Sequence, residues 1–176
     1  MSLKNDLNNI LFGQKESFAI ELGMTKNPQK NKLRFWVKDF KIGSFTKADE
    51  LDDSVRAYKK FTKNKESFYL QVFDHLTPTR ILIYLTDFTL LLSERDEDLK
   101  EMEKRQELSL SFGLQFHTDT SFFFLLYKNN EVKFLYKPAK KETAKEYSVH
   151  YNAFRDVFEE YIRYCNSNNL LMNPNL

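Results

Sequence analysis

The sequence predicts an α+β fold: one domain over residues 1–176, built on a mixed or antiparallel sheet of five to seven short strands with three to four helices packed mainly on one face. Three observations predict it. Short alternating apolar runs occur in both halves, "SFAIELG" (17–23) and "SFFFLLYKNNEVKFLYK" (121–137) among them, and read as strands. Two segments, 46–64 and 152–167, switch to helical spacing. Apolar residues make up 41% of the chain and aromatics 15%, enough for a closed core, while four Gly and four Pro leave little flexible linker.

In chain order, residues 1–15 are expected to fray. The strand 17–23 is followed by a turn-rich loop around Asn27-Pro28, then by "KLRFWVK" (32–38) and "FKIGSF" (40–45), which together suggest an antiparallel meander. Asp39 separates the last two runs as either a bulge or a hairpin turn. In 46–64 a cap at Thr46 or Asp49, acids in the first turn and lysines near the end suit a helix dipole, and Leu51, Val55, Tyr58 and Phe61 form its apolar stripe. "ESFYLQVFDHL" (66–76) fits strand or helix, with helix favoured. Thr77 as cap and Pro78 at the first helical position then open a second, largely buried helix.

Residues 94–107 are charged at almost every position and read as an exposed helix extension or a loop. "LSLSFGLQF" (108–116) alternates as a strand, and Asn129-Asn130 is the expected turn of the hairpin that follows. "YSVHYN" is a short strand or lead-in, Asn152 the expected cap of a last helix, and 170–176 an expected frayed tail.

Net charge is +2, so the basic excess of a nucleic-acid binder is missing. The charge is segregated, however. Residues 1–48 carry nine basic and four acidic side chains, residues 49–119 ten and fifteen, and residues 120–176 eight and six. A lone cysteine, Cys165, excludes an internal disulfide, and the first fifteen residues lack an apolar signal core, so a reducing, cytoplasmic setting is expected. The longest apolar stretch, 81–92, is too short and too polar to span a bilayer.

Catalytic patterns are sparse. No glycine-rich phosphate loop occurs, and His75, His117 and His150 are too scattered to suggest a zinc site, so no metal or other cofactor is expected. Cys165 falls on the apolar stripe near a helix end, the setting of a structural thiol. A hydrolase would need a carboxylate held in an apolar pocket, and none is marked in the sequence. The alternation Arg34/Trp36/Lys38 could form a stacking surface for nucleic acid, but "LSFGLQF" lacks the rest of an RNA-recognition motif.

The order "SFAIEL", loop, "RFWVKDFKIGSF", acidic-started helix resembles the bacterial immunity proteins of polymorphic toxin systems, and among them the immunity protein 42 family. The resemblance lies in Phe18-Ala19-Ile20-Glu21, the aromatic strand around Trp36, and Ile42-Gly43, within about the first 50 residues. It implies a small, soluble, cytoplasmic, non-catalytic α+β protein whose partner is the C-terminal domain of a cognate toxin. The alternatives are a small hydrolase using buried carboxylates and, third, a nucleic-acid module. If the toxin attacks nucleic acid, its basic site would suit an acidic inhibitor surface. Glu94, Asp96, Glu97, Asp98 and Glu101 are the candidate contacts, with the acids of 49–53 second. Trp36 is read first as core packed beneath a helix, then as a partner anchor, then as a stacking platform. The oligomeric state is not legible.

Overall fold

In the computed structural model, residues 9–43, 45–87, 95–110, 112, 122–138 and 141–173 are described. They form seven strands and four α-helices. Strands β1 (Asn9–Gly13), β2 (Phe18–Gly23), β3 (Lys32–Val37) and β4 (Phe40–Ile42) make one sheet in sequential order. Strands β5 (Phe122–Lys128), β6 (Glu131–Lys137) and β7 (Lys145–His150) make a second. Every pairing is antiparallel, so the strands expected in one sheet are divided between two. The helices are α1 (Asp52–Lys63), α2 (Pro78–Thr86), α3 (Asp96–Glu107) and α4 (Tyr151–Ser167).

The expected meander is present. Lys38 and Asp39, both at positive φ (49° and 64°), make a two-residue hairpin turn between β3 and β4, not a bulge. Asn129 and Asn130 do the same between β5 and β6. The strand β1 lies in the segment expected to fray, where its pairing with β2 supplies the backbone bonds that a free end lacks.

Register sorts the first sheet into two unlike faces. Phe12, Phe18, Ile20, Leu22, Leu33, Phe35, Val37 and Ile42 point inward and are buried. The opposite face carries Leu11, Ala19, Glu21, Arg34, Trp36 and Lys41. The second sheet is apolar on both faces at its centre, with Phe124, Leu126 and Leu135 buried on one side and Leu125 and Phe134 on the other. Hence its near-continuous apolar runs. The two inner faces meet through Phe18, Phe35, Phe123 and Phe134, and Phe154 and Phe158 of α4 pack into the same ring cluster. α1 joins through Tyr58 and Phe61.

Several local expectations are corrected. Residues 66–76 do not form an α-helix: two 3-10 turns, Lys65–Ser67 and Gln71–His75, flank an extended link. The Phe68 carbonyl accepts the Tyr127 amide of β5 at 3.0 Å, which removes it from the i+4 ladder a helix needs. Helix α2 starts as read, its Thr77 hydroxyl accepting from the Arg80 amide. Helix α1 has no side-chain cap, because Asp49 is held in a bridge with Asn31, each amide bonded to the other's carbonyl at 2.9 Å. The cap of α4 is His150, not Asn152: its Nδ1 accepts the Asn152 amide. Within the expected strand 108–116, Leu108 to Leu110 are not in a strand, although Leu108, Leu110 and Phe112 are all buried as the alternation implied. Its other residues lie outside those described.

The tail expected to fray is anchored over 170–173. Leu170 and Leu171 are buried, and the Asp52 carboxylate accepts the amides of Met172 and Asn173 at 2.9 Å each. Asp52 is itself 3% exposed, whereas Met172 and Asn173 are exposed, so removing it deprives the two tail amides of a charged acceptor and frees the end of the chain. Asp52→Ala is expected to cost about 1.5–2.5 kcal/mol. Amide exchange at 170–173 should accelerate more than in β5–β6, and an unchanged tail would refute the clasp.

Candidate partner-binding surface

The outer face of the first sheet is built around one carboxylate. Glu21 on β2 stands opposite Leu11 of β1 and Arg34 of β3. Its Oε2 accepts from Arg34 Nε and from Trp36 Nε1, each at 2.7 Å, and its Oε1 accepts from Asn9 Nδ2 at 2.9 Å. Burial pushes this carboxyl's pKa up, but the hydrogen bonds from Arg34 and Trp36, the Arg34 charge and the Asn9 bond outweigh it, holding it below the ordinary carboxylate value. Glu21 is therefore an ionised tie-point rather than a protonated acid.

Trp36 is 8% exposed. Its cover is cationic: Lys15 Nζ lies 4.2 Å from the ring centre, Lys41 Nζ 4.9 Å and the Arg34 guanidinium 5.0 Å. Trp36 is thus a buried side chain that lies outside the continuous apolar cluster. Strand alternation put it on the basic face, and the aliphatic stems and charges there bury it. Arg34 also meets the Phe45 ring at 4.3 Å, so its guanidinium contacts two aromatic rings. Sequence alternation showed Arg34 beside Trp36. The roles of Glu21, Lys15 and Lys41 became visible only through cross-strand register and the β1–β2 turn.

The acidic candidates lie elsewhere. Asp96 and Glu97 are exposed in the first turn of α3, where they favour the helix dipole. Asp98 is paired with Arg95 at 2.8 Å. Glu101 accepts from Tyr84 Oη and from Arg105 Nε, the latter at 3.2 Å. Glu94 falls outside the described residues. The described partners of Trp36 come from β2, β3, β4 and the β1–β2 turn, so the structure does not join it to the acids of α3. Nor is α3 an unpacked extension. Met102 is buried, and Arg105 stacks on Tyr84 with its centre 3.9 Å away and donates to the Tyr84 carbonyl.

A cleft of about 400 Å³ runs between Phe73, Leu76, Pro78 and Ile81 on one side and Lys128, Glu131, Lys133 and Glu146 of the second sheet on the other. Most of its charges are paired: Asp74 takes Tyr69 Oη and Lys128, and Lys133 pairs with Glu146 at 2.7 Å. Cys165 is buried, and burial pushes its thiol up to about 12, so it stays protonated at neutral pH. Among the described residues no three His, Cys, Asp or Glu side chains converge to hold a metal, and no helix is long and apolar enough to cross a membrane.

Comparison with known proteins bears on the chain as a whole. The crystal structure of CdiI from Burkholderia dolosa AUO158 is similar in fold, with a TM-score of 0.63 at 14% identity over 88% of this chain and 99% of that one. No curated protein matches the sequence. The family model described as immunity protein 42 matches residues 10–164, well beyond the first fifty residues that carried the resemblance. It takes in both sheets and nearly all of α4, and on that match the chain belongs to the immunity protein 42 family.

Proposed function

We propose that this protein is a cytoplasmic, non-catalytic inhibitor that binds the C-terminal domain of a cognate toxin and blocks it by occlusion. The observation that carries the reading is the family match over residues 10–164. The chemistry of the two buried carboxylates supports it against a hydrolase. Glu21 is held ionised by three donors, and Asp52 is occupied by two backbone amides. A general acid needs the reverse, a raised pKa and a free oxygen facing a substrate. Of the acids read as toxin contacts, Asp96 and Glu97 are exposed and form no ion pair among the described residues, and they are the ones proposed to meet a basic region of the toxin.

The test is a growth rescue. The C-terminal domain encoded by the reading frame immediately upstream is expressed in a test bacterium with and without this protein. Rescue by this protein, together with a stoichiometric complex of the two purified chains, is the expected result. A domain that kills equally in its presence overturns the reading.

A further inference from the structure

The outer face of the first sheet has a charge pattern that its own structure leaves unanswered. Lys15, Arg34 and Lys41 converge on one indole. Lys32 lies on the same face of β3, and Lys38 lies in the adjoining turn. Against these five cations the face holds one carboxylate, Glu21, and it is taken by Arg34. Glu16 and Asp39, both exposed, stand at the bordering turns. Among the described residues none of Lys15, Lys32, Lys38 and Lys41 forms an ion pair, whereas Lys65, Lys128 and Lys133 elsewhere each do. Like charges gathered around a desolvated ring repel one another, and a partner carboxylate placed among them relieves that repulsion.

Apolar and rigid groups complete the patch. Leu11 is 43% exposed directly across from Glu21. Arg34 is fixed by its bond to Glu21 and by two rings, so little side-chain freedom remains to be lost on docking. Trp36 itself is buried, so what the patch offers a partner is the cationic cover of the indole, with Arg34 held in place and Leu11 beside it. Nucleic acid fits less well, because cations already lie over the indole and leave no open ring for a base to stack on.

We propose that the outer face of β1–β4, centred on Trp36 and ringed by Lys15, Lys38 and Lys41, docks an acidic surface of the toxin domain. This rests on the reading of the chain as a toxin inhibitor. It adds a contact of opposite sign to that of Asp96 and Glu97. The partner is then one whose charge is segregated, as it is in this chain.

Trp36 is the only tryptophan, so protein grown with 5-fluorotryptophan gives a single fluorine resonance that reports on this face. Titrating in the toxin domain is expected to shift or broaden that line. The pair Lys15→Glu/Lys41→Glu is expected to weaken binding at least tenfold, chiefly through slower association, with the difference shrinking at high salt. Lys15→Gln/Lys41→Gln is the milder pair should the reversal disturb folding, and it is expected to weaken binding in the same direction. A complex that forms with the resonance unmoved, and with either pair binding within threefold of the unaltered chain, overturns the inference while leaving the inhibitor reading intact. Absence of binding by the unaltered chain overturns both. Tight binding of a single-stranded oligonucleotide that moves the same resonance and is lost in the lysine pairs also overturns it, by assigning the face to phosphate.

Discussion

Replacing Phe158 with alanine is expected to destabilise the protein by about 3–5 kcal/mol, the range for deleting a buried phenylalanine ring. Phe158 is 0% exposed, and six rings surround it. Its centroid lies 4.7 Å from Tyr58, 4.8 Å from Phe154, 5.6 Å from Phe35, 6.0 Å from Phe18, 6.1 Å from Tyr161 and 6.2 Å from Phe112. These neighbours come from β2, β3, α1, α4 and the segment after α3, so the position ties the first sheet to both long helices. Aromatic neighbours make the cavity hard to close, because rigid rings on separate elements cannot slide into it as a flexible methionine could. Denaturant titration should show the loss directly. At 2–4 °C per kcal/mol for a chain of this size, the melting temperature should fall by roughly 6–20 °C. Phe158→Leu keeps most of the volume and should cost about 1–2 kcal/mol. Val72→Ala, at a site 46% exposed, should stay within about 0.5 kcal/mol. A Phe158→Ala protein as stable as the Val72 variant would mean that this ring cluster is not the core.

Much of that core was legible in the sequence, because periodicity records burial. The stripe Leu51, Val55, Tyr58, Phe61 is buried throughout, and so are Phe154, Val157, Phe158, Tyr161 and Cys165 of the last helix, while Tyr164 on the same spacing is half-buried. The Asn129-Asn130 turn could be placed because Asn tolerates positive φ, whereas Asp39 left a hairpin turn and a bulge equally open. What could not be read depends on partners remote in sequence. Residues 66–76 carry a helix-compatible pattern, yet a hydrogen bond to β5, about sixty residues on, draws the Phe68 carbonyl out of any helix. The tail looked unanchored because its anchor, Asp52, lies some 120 residues earlier. His150 is the last residue of β7, as a short strand there implied, and it is also the cap of the next helix, which the sequence assigned to Asn152.

The candidate surface shows the same division. Alternation placed Trp36 with Arg34 on the basic side of its strand. It could not tell that lysines from the β1–β2 turn and from β4 would lie over the indole. Glu94, Asp96, Glu97, Asp98 and Glu101 were read together as candidate contacts, and of these Glu94 lies outside the described residues. Helical geometry directs Asp98 and Glu101 onto Arg95 and Arg105, and leaves Asp96 and Glu97 outward. Charge segregation along the chain survives folding as segregation in space: a cation-ringed sheet on one element group, an acid-started helix on another.

Glu21→Ala is expected to destabilise the protein by about 3–4 kcal/mol, near the lower end for breaking a buried ion pair by removing one partner. The deletion leaves the Arg34 guanidinium, whose side chain is 19% exposed, without its carboxylate, and leaves the Trp36 indole N–H and the Asn9 amide without theirs. Glu21→Gln keeps the shape and one acceptor oxygen but removes the charge, so its cost should fall in between, at about 1.5–2.5 kcal/mol. Acid separates the two explanations of such losses, packing and charge. The Glu21 carboxyl is held below its ordinary value in the folded protein, so between the unfolded value of about 4.3 and the lower folded one the unfolded chain binds more protons. Stability must therefore fall as pH falls through that window, and the contribution of Glu21 is fully present above it. In Glu21→Gln this part of the acid slope should vanish while the remaining carboxylates, Asp74 among them, keep theirs. The measurement is denaturant stability from pH 3 to pH 7 for both proteins. Curves that stay parallel down to the lowest pH would show that Glu21 titrates as a free carboxylate does, and that the cations around Trp36 are held without it. Curves that converge as pH falls would show that the buried carboxylate sets the conformation of the basic face, so Glu21→Gln should also loosen the packing of Lys15, Arg34 and Lys41 on the indole.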